Sequence, residues 1–208
     1  DNGPFLVADP GVHFIMLRAN RDLLSLATQL GRKDDAIEVK AWIQHLENGA
    51  QKLWNPEIKS FCARDMRTGR FSGGVSSASL LCFYADVGTE EQKSSMSDHC
   101  QRIFKACKYG VPSWDPENNE FDSKRYWRGP VWSVVNYLVY RGFKSAGLNS
   151  FAEKIRHDTL RLFEISGAAE YYDPNTAEGL GGSDFTWTAA IYLELSKSRI
   201  PTQLIKHF

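Results

Sequence analysis

The chain alternates helical segments that carry almost no charge with helical segments that are apolar on one face only. Charge-poor segments begin near residues 11, 75, 131 and 186, the second of them being a predicted helix over about residues 75–85, and one-faced amphipathic segments cover about residues 33–53, 90–108 and 149–166. A helix that is neutral all round is buried on all sides, whereas a one-faced helix lies at the surface. The alternation therefore predicts two concentric layers of helices, as in an α/α toroid.

The number of segments predicts an incomplete toroid, because an (α/α)6 barrel consists of six helix pairs and this chain offers seven helices. We therefore predict an all-α fold in which residues 1–208 form a single partial toroid domain. Residues 57–73 interrupt the helical pattern, and the turn signal Thr68-Gly69 predicts a small β-hairpin there. A helical solenoid is the alternative, but it requires a fixed period of about 34–47 residues, which the sequence lacks.

Composition excludes several functional classes. Lys and Arg total 25, Asp and Glu total 25, and the net charge is zero, so the charge indicates no nucleic-acid partner and no anionic membrane. No apolar run approaches the roughly twenty residues that cross a bilayer. The four cysteines form no CxxC pair, which argues against a zinc site and favours a reducing compartment such as the cytoplasm, the location being otherwise open. No metal or organic cofactor is implied.

Two motifs carry the candidate chemistry, and the first is Tyr126-Trp127-Arg128-Gly129-Pro130-Val131-Trp132. It brings two indoles, a phenol and a guanidinium together at the end of a long loop, and such aromatic groups serve as stacking platforms for sugars. Arg128 could donate a fork of hydrogen bonds to a substrate; its alternative is a salt bridge to Asp122. Pro130 predicts a helix that begins at this position.

The charge-poor helices place further candidates toward the centre of the toroid. Trp132 and Asn136 lie one helical turn apart on the same face and would point inward. Trp187 has the same position on the last helix. Inner-layer packing is the alternative for all three residues.

The second motif, Ala169-Glu170-Tyr171-Tyr172-Asp173-Pro174, exposes one carboxylate among aromatic side chains. Glu170 is the candidate catalytic base, with Tyr171 and Tyr172 placed to orient it. An ordinary solvated glutamate is the alternative. The glycine run at residues 179–182 indicates that backbone passes close to substrate or to a neighbouring loop. The acidic rivals of Glu170 are Asp173, Glu178 and Asp184.

Both motifs, YWRGPVW and AEYYDPNTAEGLGG leading into FTWTAA, resemble glycoside hydrolase family 63, in particular its bacterial mannosylglycerate and glucosylglycerate hydrolase type. The segment PFLVADPGVHFIMLRANRDLLSLA is also similar, so the likeness covers essentially the whole chain. The resemblance implies the C-terminal part of an (α/α)6 barrel that hydrolyses α-glycosidic bonds with inversion. It assigns the general base to Glu170 and sugar contacts to Tyr126 and Trp127.

The resemblance also implies a general-acid aspartate from the N-terminal half of the barrel, and its Gly-Trp-Asp type of motif has no match here. We therefore expect the isolated chain to be inactive and a missing N-terminal half or a partner chain to supply the acid. Neutral inner helices left uncovered would favour a dimer. Two alternatives remain: an acid from this chain, Asp115 or Asp122, within about 10 Å of Glu170, or a non-catalytic carbohydrate-binding or structural toroid.

Overall fold

The computed structural model describes residues 6–197 of the 208-residue chain. Within that range the fold is mostly helical, with three short antiparallel strand pairs: β1 with β4, β2 with β3, and β5 with β6. The helices are α1 Pro10–Gln29, α2 Lys33–Gln51, α3 Cys82–Ala85, α4 Glu90–Ala106, α5 Ser133–Ser145, α6 Asn149–Ser166 and α7 Thr186–Ser196. The strands are β1 Val7–Ala8, β2 Trp54–Asn55, β3 Ser60–Phe61, β4 Arg64–Asp65, β5 Tyr171–Tyr172 and β6 Gly179–Leu180.

The helices form the two layers that the charge alternation predicts. Helices α1, α3, α5 and α7 make a continuous inner series, because each contacts the next. Helix α2 packs on α1, while α6 packs on α5 and α7. Helix α4 lies against β3 and the 3-10 turn Ser79–Leu81. This arrangement is part of an (α/α)6 barrel, and the predicted fold class is confirmed.

Local sequence explains where the helices begin. The Asp9 carboxylate accepts a hydrogen bond of 2.9 Å from Val12 N, and Pro10 occupies the first turn of α1, where a missing N–H leaves no bond unmade. Thr89 and Gln92 form a reciprocal capping box at the start of α4.

Two apolar clusters hold the layers together. The larger one joins the helices and the β-excursion, with Phe14 packed edge-on against Phe61 at 5.3 Å. Gly142 lets α5 approach α3 closely, because a Cβ there would lie 2.5 Å from Tyr84 N. A smaller cluster lies beneath the two motif loops; its members are Val131, Leu162, Ala169, Tyr172 and Ala177.

The predicted β-hairpin is present around Thr68-Gly69. Asp65 N donates to Arg70 O at 2.9 Å, and the Asp65 carboxylate closes the turn by accepting from the backbone N–H groups of Arg67 and Thr68. Gly69 has a φ of 73°, in the left-handed region that a side chain disfavours. The hairpin also pairs with β1, which anchors the segment before α1.

The predicted third helix over residues 75–85 is too long. Only Cys82–Ala85 is α-helical, and the residues directly before it form the 3-10 turn Ser79–Leu81. Val75 N donates to Asp115 Oδ2 at 3.2 Å, and Ser76 N donates to Ser79 Oγ at 3.1 Å. These bonds supply partners to N–H groups that the start of a helix would leave free, so the low charge of this segment predicted its burial correctly but not its conformation.

All four cysteines are buried thiols without disulfide partners, and burial raises the pKa of Cys62 to about 11. Within residues 6–197, no helix has the length and apolarity to span a membrane. Large apolar side chains nonetheless remain exposed along the inner helices: Val12, Met16 and Leu26 on α1, Leu30 directly after it, and Trp187 and Leu193 on α7. That these faces promote dimerisation or binding of a partner stays a prediction.

Candidate functional site

The YWRGPVW segment is the end of a loop that folds tightly on itself. Gly129 is required there, because a Cβ would lie 2.1 Å from Asp122 O, and Asp122 N donates to Arg128 O at 2.8 Å. Tyr126 has a φ of 37°, a left-handed conformation that costs a tyrosine free energy and that the surrounding contacts must hold. The loop therefore presents its aromatic side chains in a fixed arrangement.

Pro130 does not open helix α5, contrary to the prediction. The helix begins at Ser133, with Trp132 as its extended N-cap residue. The reason is that Val131 pairs with Tyr172 in both directions, Val131 N to Tyr172 O at 2.8 Å and Tyr172 N to Val131 O at 3.0 Å. That pairing needs extended backbone at the position where the first helical turn was expected.

Side chains tie the same two loops together a second time. Ser123 Oγ donates to Asp173 Oδ2 at 2.7 Å, and Lys124 Nζ lies 2.5 Å from Glu178 Oε2. Burial raises the pKa of Asp173, but hydrogen bonds from Ser123 and from the backbone N–H groups of residues 175 and 176 outweigh it, so its pKa lies below the ordinary value. Asp173 and Glu178, two of the acidic residues considered as alternatives to Glu170, thus serve to join the loops.

The two motifs meet in a stack of three aromatic rings. Trp127 lies parallel to Trp132 at 4.1 Å and 6°, and Tyr171 stacks on Trp132 at 4.9 Å and 29°. Tyr126 packs edge-on against all three rings, and its carbonyl accepts from Trp132 Nε1 at 3.1 Å. Trp132 is only 4% exposed, whereas Trp127 is 48% and Tyr126 50% exposed. Most of the ring surface that a ligand can reach therefore belongs to Trp127 and Tyr126, with a smaller share from the half-buried Tyr171.

Glu170 stands next to this stack at the start of β5. Its backbone N donates to Gly182 O at 2.9 Å, and its Oε2 accepts from Gly182 N at 3.2 Å. Gly181, with a φ of 74°, passes so close that a Cβ would lie 2.5 Å from Glu170 Oε2. Burial and then the Glu170 charge raise the pKa of Tyr171, which indicates that the carboxylate and the phenol are neighbours. The glycine run thus positions the carboxylate through backbone contacts.

Asp115 was one alternative for the general acid, but both of its carboxylate oxygens already have hydrogen-bond donors within the fold. Arg102 donates to its two oxygens at 2.8 Å each. Burial raises the pKa of Asp115, but the bonds from Arg102 and from the N–H groups of Glu117 and Val75 outweigh it and hold the pKa below 3.8. A general acid must be protonated near neutral pH, so Asp115 is unsuited to that role. Asp122 is exposed and accepts from Lys124 N at 3.1 Å in a local turn.

Several predicted substrate-binding residues have other partners. Asn136 is fully buried, and its amide donates to Val111 O and Trp132 O and accepts from Val111 N. Tyr172 is fully buried; its hydroxyl donates to Gly167 O at 2.5 Å, and burial raises its pKa to about 12. Both residues support the loops from below and present no surface to a ligand.

Arg128 and Trp187 remain accessible but lie outside the stack. Arg128 Nε donates to Glu120 O at 3.2 Å, and among residues 6–197 no salt bridge to Asp122 is formed. Trp187 is 60% exposed and packs edge-on against Phe185 at 5.6 Å. The structure therefore brings together Tyr126, Trp127, Trp132 and Glu170.

The structure gives Tyr171 and two glycines more specific roles than the sequence predicted. Tyr171 forms the third layer of the stack, and Gly181 and Gly182 hold the Glu170 carboxylate. The glycine run was the available signal, since it indicated close passage of backbone. In the part of the chain that the structure describes, no three His, Cys, Asp or Glu side chains could hold a metal ion together.

Comparison with known proteins places this geometry in a family. A family model described as the mannosylglycerate hydrolase MGH1-like glycoside hydrolase domain matches residues 1–188. Mannosylglycerate hydrolase from Thermus thermophilus is 38% identical over 190 residues, which are 91% of this chain and 45% of that protein. Mannosylglycerate hydrolase MGH1 from Selaginella moellendorffii is 36% identical over 91% of this chain and 39% of its own length. The chain thus spans less than half the length of these relatives.

Solved structures agree with the sequence comparison. The crystal structure of a GH63 mannosylglycerate hydrolase from Thermus thermophilus in complex with Tris superposes with a TM-score of 0.89 at 37% identity, over 94% of this chain and 47% of that one. Neutral trehalase Nth1 from Saccharomyces cerevisiae shares the fold, with a TM-score of 0.70 at 17% identity over 95% of this chain and 38% of that one. The chain belongs to glycoside hydrolase family 63, in its mannosylglycerate hydrolase MGH1-like branch.

Proposed function

We propose that this chain supplies the general base and one wall of the sugar site of an inverting α-glycoside hydrolase. The observation that carries the proposal is the position of Glu170. Its carboxylate lies beside the aromatic stack, accepts a hydrogen bond from Gly182 N, and has no salt-bridge partner within residues 6–197. A carboxylate oriented by backbone and not paired with a cation can take a proton from water.

The proposed reaction needs two carboxyl groups on opposite sides of the sugar. Glu170 deprotonates a water, which attacks the anomeric carbon while a carboxylic acid on the other face protonates the leaving oxygen. The anomeric configuration is thereby inverted. Because Arg102 holds Asp115 ionised, the first loop offers no buried carboxyl group that could act as the general acid. We assign the acid to a complementary N-terminal half of the barrel, with residues 1–208 as a single C-terminal partial toroid.

The relatives indicate the class of substrate. Those at 36–38% identity are named mannosylglycerate hydrolases, and related structures contain glucose or D-glycerate. We propose small α-linked glycosides of mannose or glucose, with mannosylglycerate and glucosylglycerate as the first substrates to test. Trp127 and Tyr126 supply the exposed aromatic surface for the sugar ring.

The test compares Glu170→Gln with Glu178→Gln in a polypeptide that carries both halves of the barrel. We expect Glu170→Gln to lower kcat by about 10²–10⁴-fold, the usual contribution of a general base. Glu178 is an exposed glutamate on the same loop that pairs with Lys124, so its variant should keep near wild-type turnover. Proton NMR should first detect the inverted anomer. Release of the retained anomer, or full activity of Glu170→Gln, would contradict the assignment.

A non-catalytic carbohydrate-binding domain is the second candidate, and the engagement of Asp115 favours it. With that carboxylate held by Arg102, the described loops present a stacking surface without an evident acid and base pair. This interpretation predicts sugar binding without any hydrolysis after the complementary half is restored. Hydrolysis in the restored barrel that depends on Glu170 would exclude it.

A further inference from the structure

The last inner helix, α7, contacts the loop that carries Glu170 through a buried hydroxyl group. Thr188 lies in the first turn of α7 and is 3% exposed. Its Oγ1 donates to Ala169 O at 2.7 Å, a contact between residues 19 positions apart in the sequence. A second bond lies beside it, from Phe185 N to Ala168 O at 2.8 Å. The start of α7 is therefore tied to the two residues that directly precede Glu170.

The hydroxyl of Thr188 fixes the peptide unit that leads into Glu170. The Ala169 carbonyl and the Glu170 N–H belong to one planar trans peptide, in which they point in opposite directions. Thr188 bonds to the carbonyl, while the N–H donates to Gly182 O at 2.9 Å. A peptide plane that is bonded on both sides cannot rotate without breaking one of these bonds. The plane in turn sets the direction in which the Glu170 side chain leaves the backbone.

The two bonds connect Glu170 to different parts of the fold. Gly182 belongs to the glycine run of the same loop and bonds to the Glu170 carboxylate as well as to its backbone, so this turn and the carboxylate can shift as one unit. Helix α7, in contrast, packs on α5 and α6. Because α5 begins directly after Trp132, the bond from Thr188 relates the Glu170 peptide to the helices that also carry the aromatic stack.

We propose that Thr188 is a positioning residue for Glu170: its hydroxyl fixes the Ala169–Glu170 peptide and thereby holds the carboxylate at one place beside the aromatic stack. The proposal rests on the proposed function and deepens it by naming the side chain on α7 that places the general base. A base must lie within hydrogen-bond distance of the water that it deprotonates, and a displacement of about 1 Å can lower a rate about a hundredfold. Thr188 itself touches neither sugar nor water.

The experiment compares Thr188→Val with Thr188→Ser in the polypeptide that carries both halves of the barrel. Valine keeps the shape of threonine without the hydroxyl, and we expect it to lower kcat about ten- to hundredfold with KM within about twofold of wild type. Serine keeps the hydroxyl, so it should return kcat to within about threefold of wild type. Thr188→Ala also lacks the hydroxyl, and it should show the same loss of kcat if the valine variant does not fold.

Two control variants distinguish positioning from a general loosening of the fold. Ser166→Ala removes a hydroxyl bond of 2.8 Å to Ala177 O, on the other limb of the same loop. Thr159→Val makes the same exchange at a buried threonine whose hydroxyl has no hydrogen-bond partner among residues 6–197. Both should keep the wild-type kcat. Hydrogen exchange measured by mass spectrometry should become faster over residues 169–172 in Thr188→Val and stay unchanged there in both controls.

Three outcomes would overturn the proposal: wild-type kcat in the folded hydroxyl-free variants, an equal loss of kcat in Ser166→Ala, or unchanged exchange over residues 169–172. A serine variant as slow as the valine variant would also contradict it, because the hydroxyl would then not be the cause. Glu170→Gln separates the two ideas. Loss of turnover in that variant with full activity of Thr188→Val removes the positioning role alone, whereas full turnover of Glu170→Gln removes the general base and with it the catalytic role of Thr188.

Discussion

The two loops of the site hold their carboxylates in different ways. On the first loop, Asp115 accepts two hydrogen bonds from Arg102 and further ones from backbone N–H groups, and it is buried. On the second loop, Glu170 accepts from Gly182 N and forms no salt bridge within the described residues. Because Arg102 and several N–H groups occupy both carboxylate oxygens, Asp115 has a structural role. Among residues 6–197, Glu170 has a single hydrogen-bond donor and no cation beside it, so its carboxylate is available for chemistry.

The difference extends to the rest of each loop. Asp115 joins the first loop to α4 through Arg102 and to the start of the inner segment through Val75. Glu170 is positioned by a glycine turn that belongs to its own loop. Replacing the first carboxylate should therefore affect folding, and replacing the second should affect turnover only.

The largest expected effect is on stability at Asp115. Asp115→Ala should lower the free energy of unfolding by about 3 kcal/mol, because it leaves the partly buried Arg102 short of its partner and removes acceptors from two backbone donors. Glu170→Gln should change it by less than about 0.5 kcal/mol. Urea unfolding followed by circular dichroism measures both.

Asp122→Ala is the control for this experiment. Asp122 lies on the same loop, but its carboxylate is exposed and accepts one local hydrogen bond from Lys124 N. Its replacement should change stability little. Equal destabilisation by Asp115→Ala and Glu170→Gln would remove the distinction between the two loops.

The second prediction concerns the glycine turn at Glu170. Gly181 and Gly147 both have a φ of 74°, but a Cβ at Gly181 would meet Glu170 Oε2 at 2.5 Å, whereas nothing lies within 4 Å at Gly147. Both alanine variants carry the same backbone strain, about 1 kcal/mol. Only Gly181→Ala displaces the carboxylate, and we expect it to lower kcat about a hundredfold.

Steady-state kinetics are measured in the polypeptide that carries both halves of the barrel and are combined with thermal melts. Together they separate the effect of backbone strain from the effect of displacing the Glu170 carboxylate. Gly147→Ala should lose a few degrees of Tm and keep its kcat. If both variants lose turnover alike, or neither does, the glycine turn has no special role in positioning Glu170.

The sequence predicted the layered fold well because a helix that is buried on all sides has to be nearly uncharged along its whole length, which is visible in the sequence. Helix α6 begins and ends at the predicted residues, 149 and 166. Residues 75–85 were misjudged, because an uncharged serine-rich run indicates burial and not helical conformation: residues 75–78 are irregular and residues 79–81 form a 3-10 turn. The prediction that a helix begins at Pro130 was wrong because the helix-start preference of proline is local, while the pairing of Val131 with Tyr172 is a tertiary contact.

The location of the site could be predicted from the sequence, but the role of each residue could be predicted less well. The motifs identified Trp127 and Glu170, which meet at one stack through Trp132 and Tyr171. Asn136 shares a helical face with Trp132, yet its amide is used by the Val111 backbone. Periodicity gives the direction of a side chain, but it does not reveal which loop folds back to take its hydrogen bonds.

The smallest expected effect is at the contact that joins the two loops, Ser123 to Asp173. Ser123→Ala should lower the free energy of unfolding by about 1 kcal/mol at neutral pH, the typical value of one such bond. Because the bond holds the pKa of Asp173 below 3.8, its contribution is present above that pH and is lost as the pH falls toward the folded-state pKa. The stability difference between wild type and variant should therefore shrink under acid conditions.

Ser97→Ala is the matched control, because Ser97 Oγ donates to a backbone carbonyl, Lys93 O at 2.9 Å, which does not titrate. Its effect on urea unfolding should be the same at neutral pH and below pH 3.8, the ordinary value of Asp173. Carboxyl NMR should in addition show the pKa of Asp173 rising in Ser123→Ala. A Ser123→Ala difference that stays constant with pH would mean that the hydroxyl acts through packing, and the two loops would then be joined by the backbone pairing of Val131 with Tyr172 and by the contact of Lys124 with Glu178.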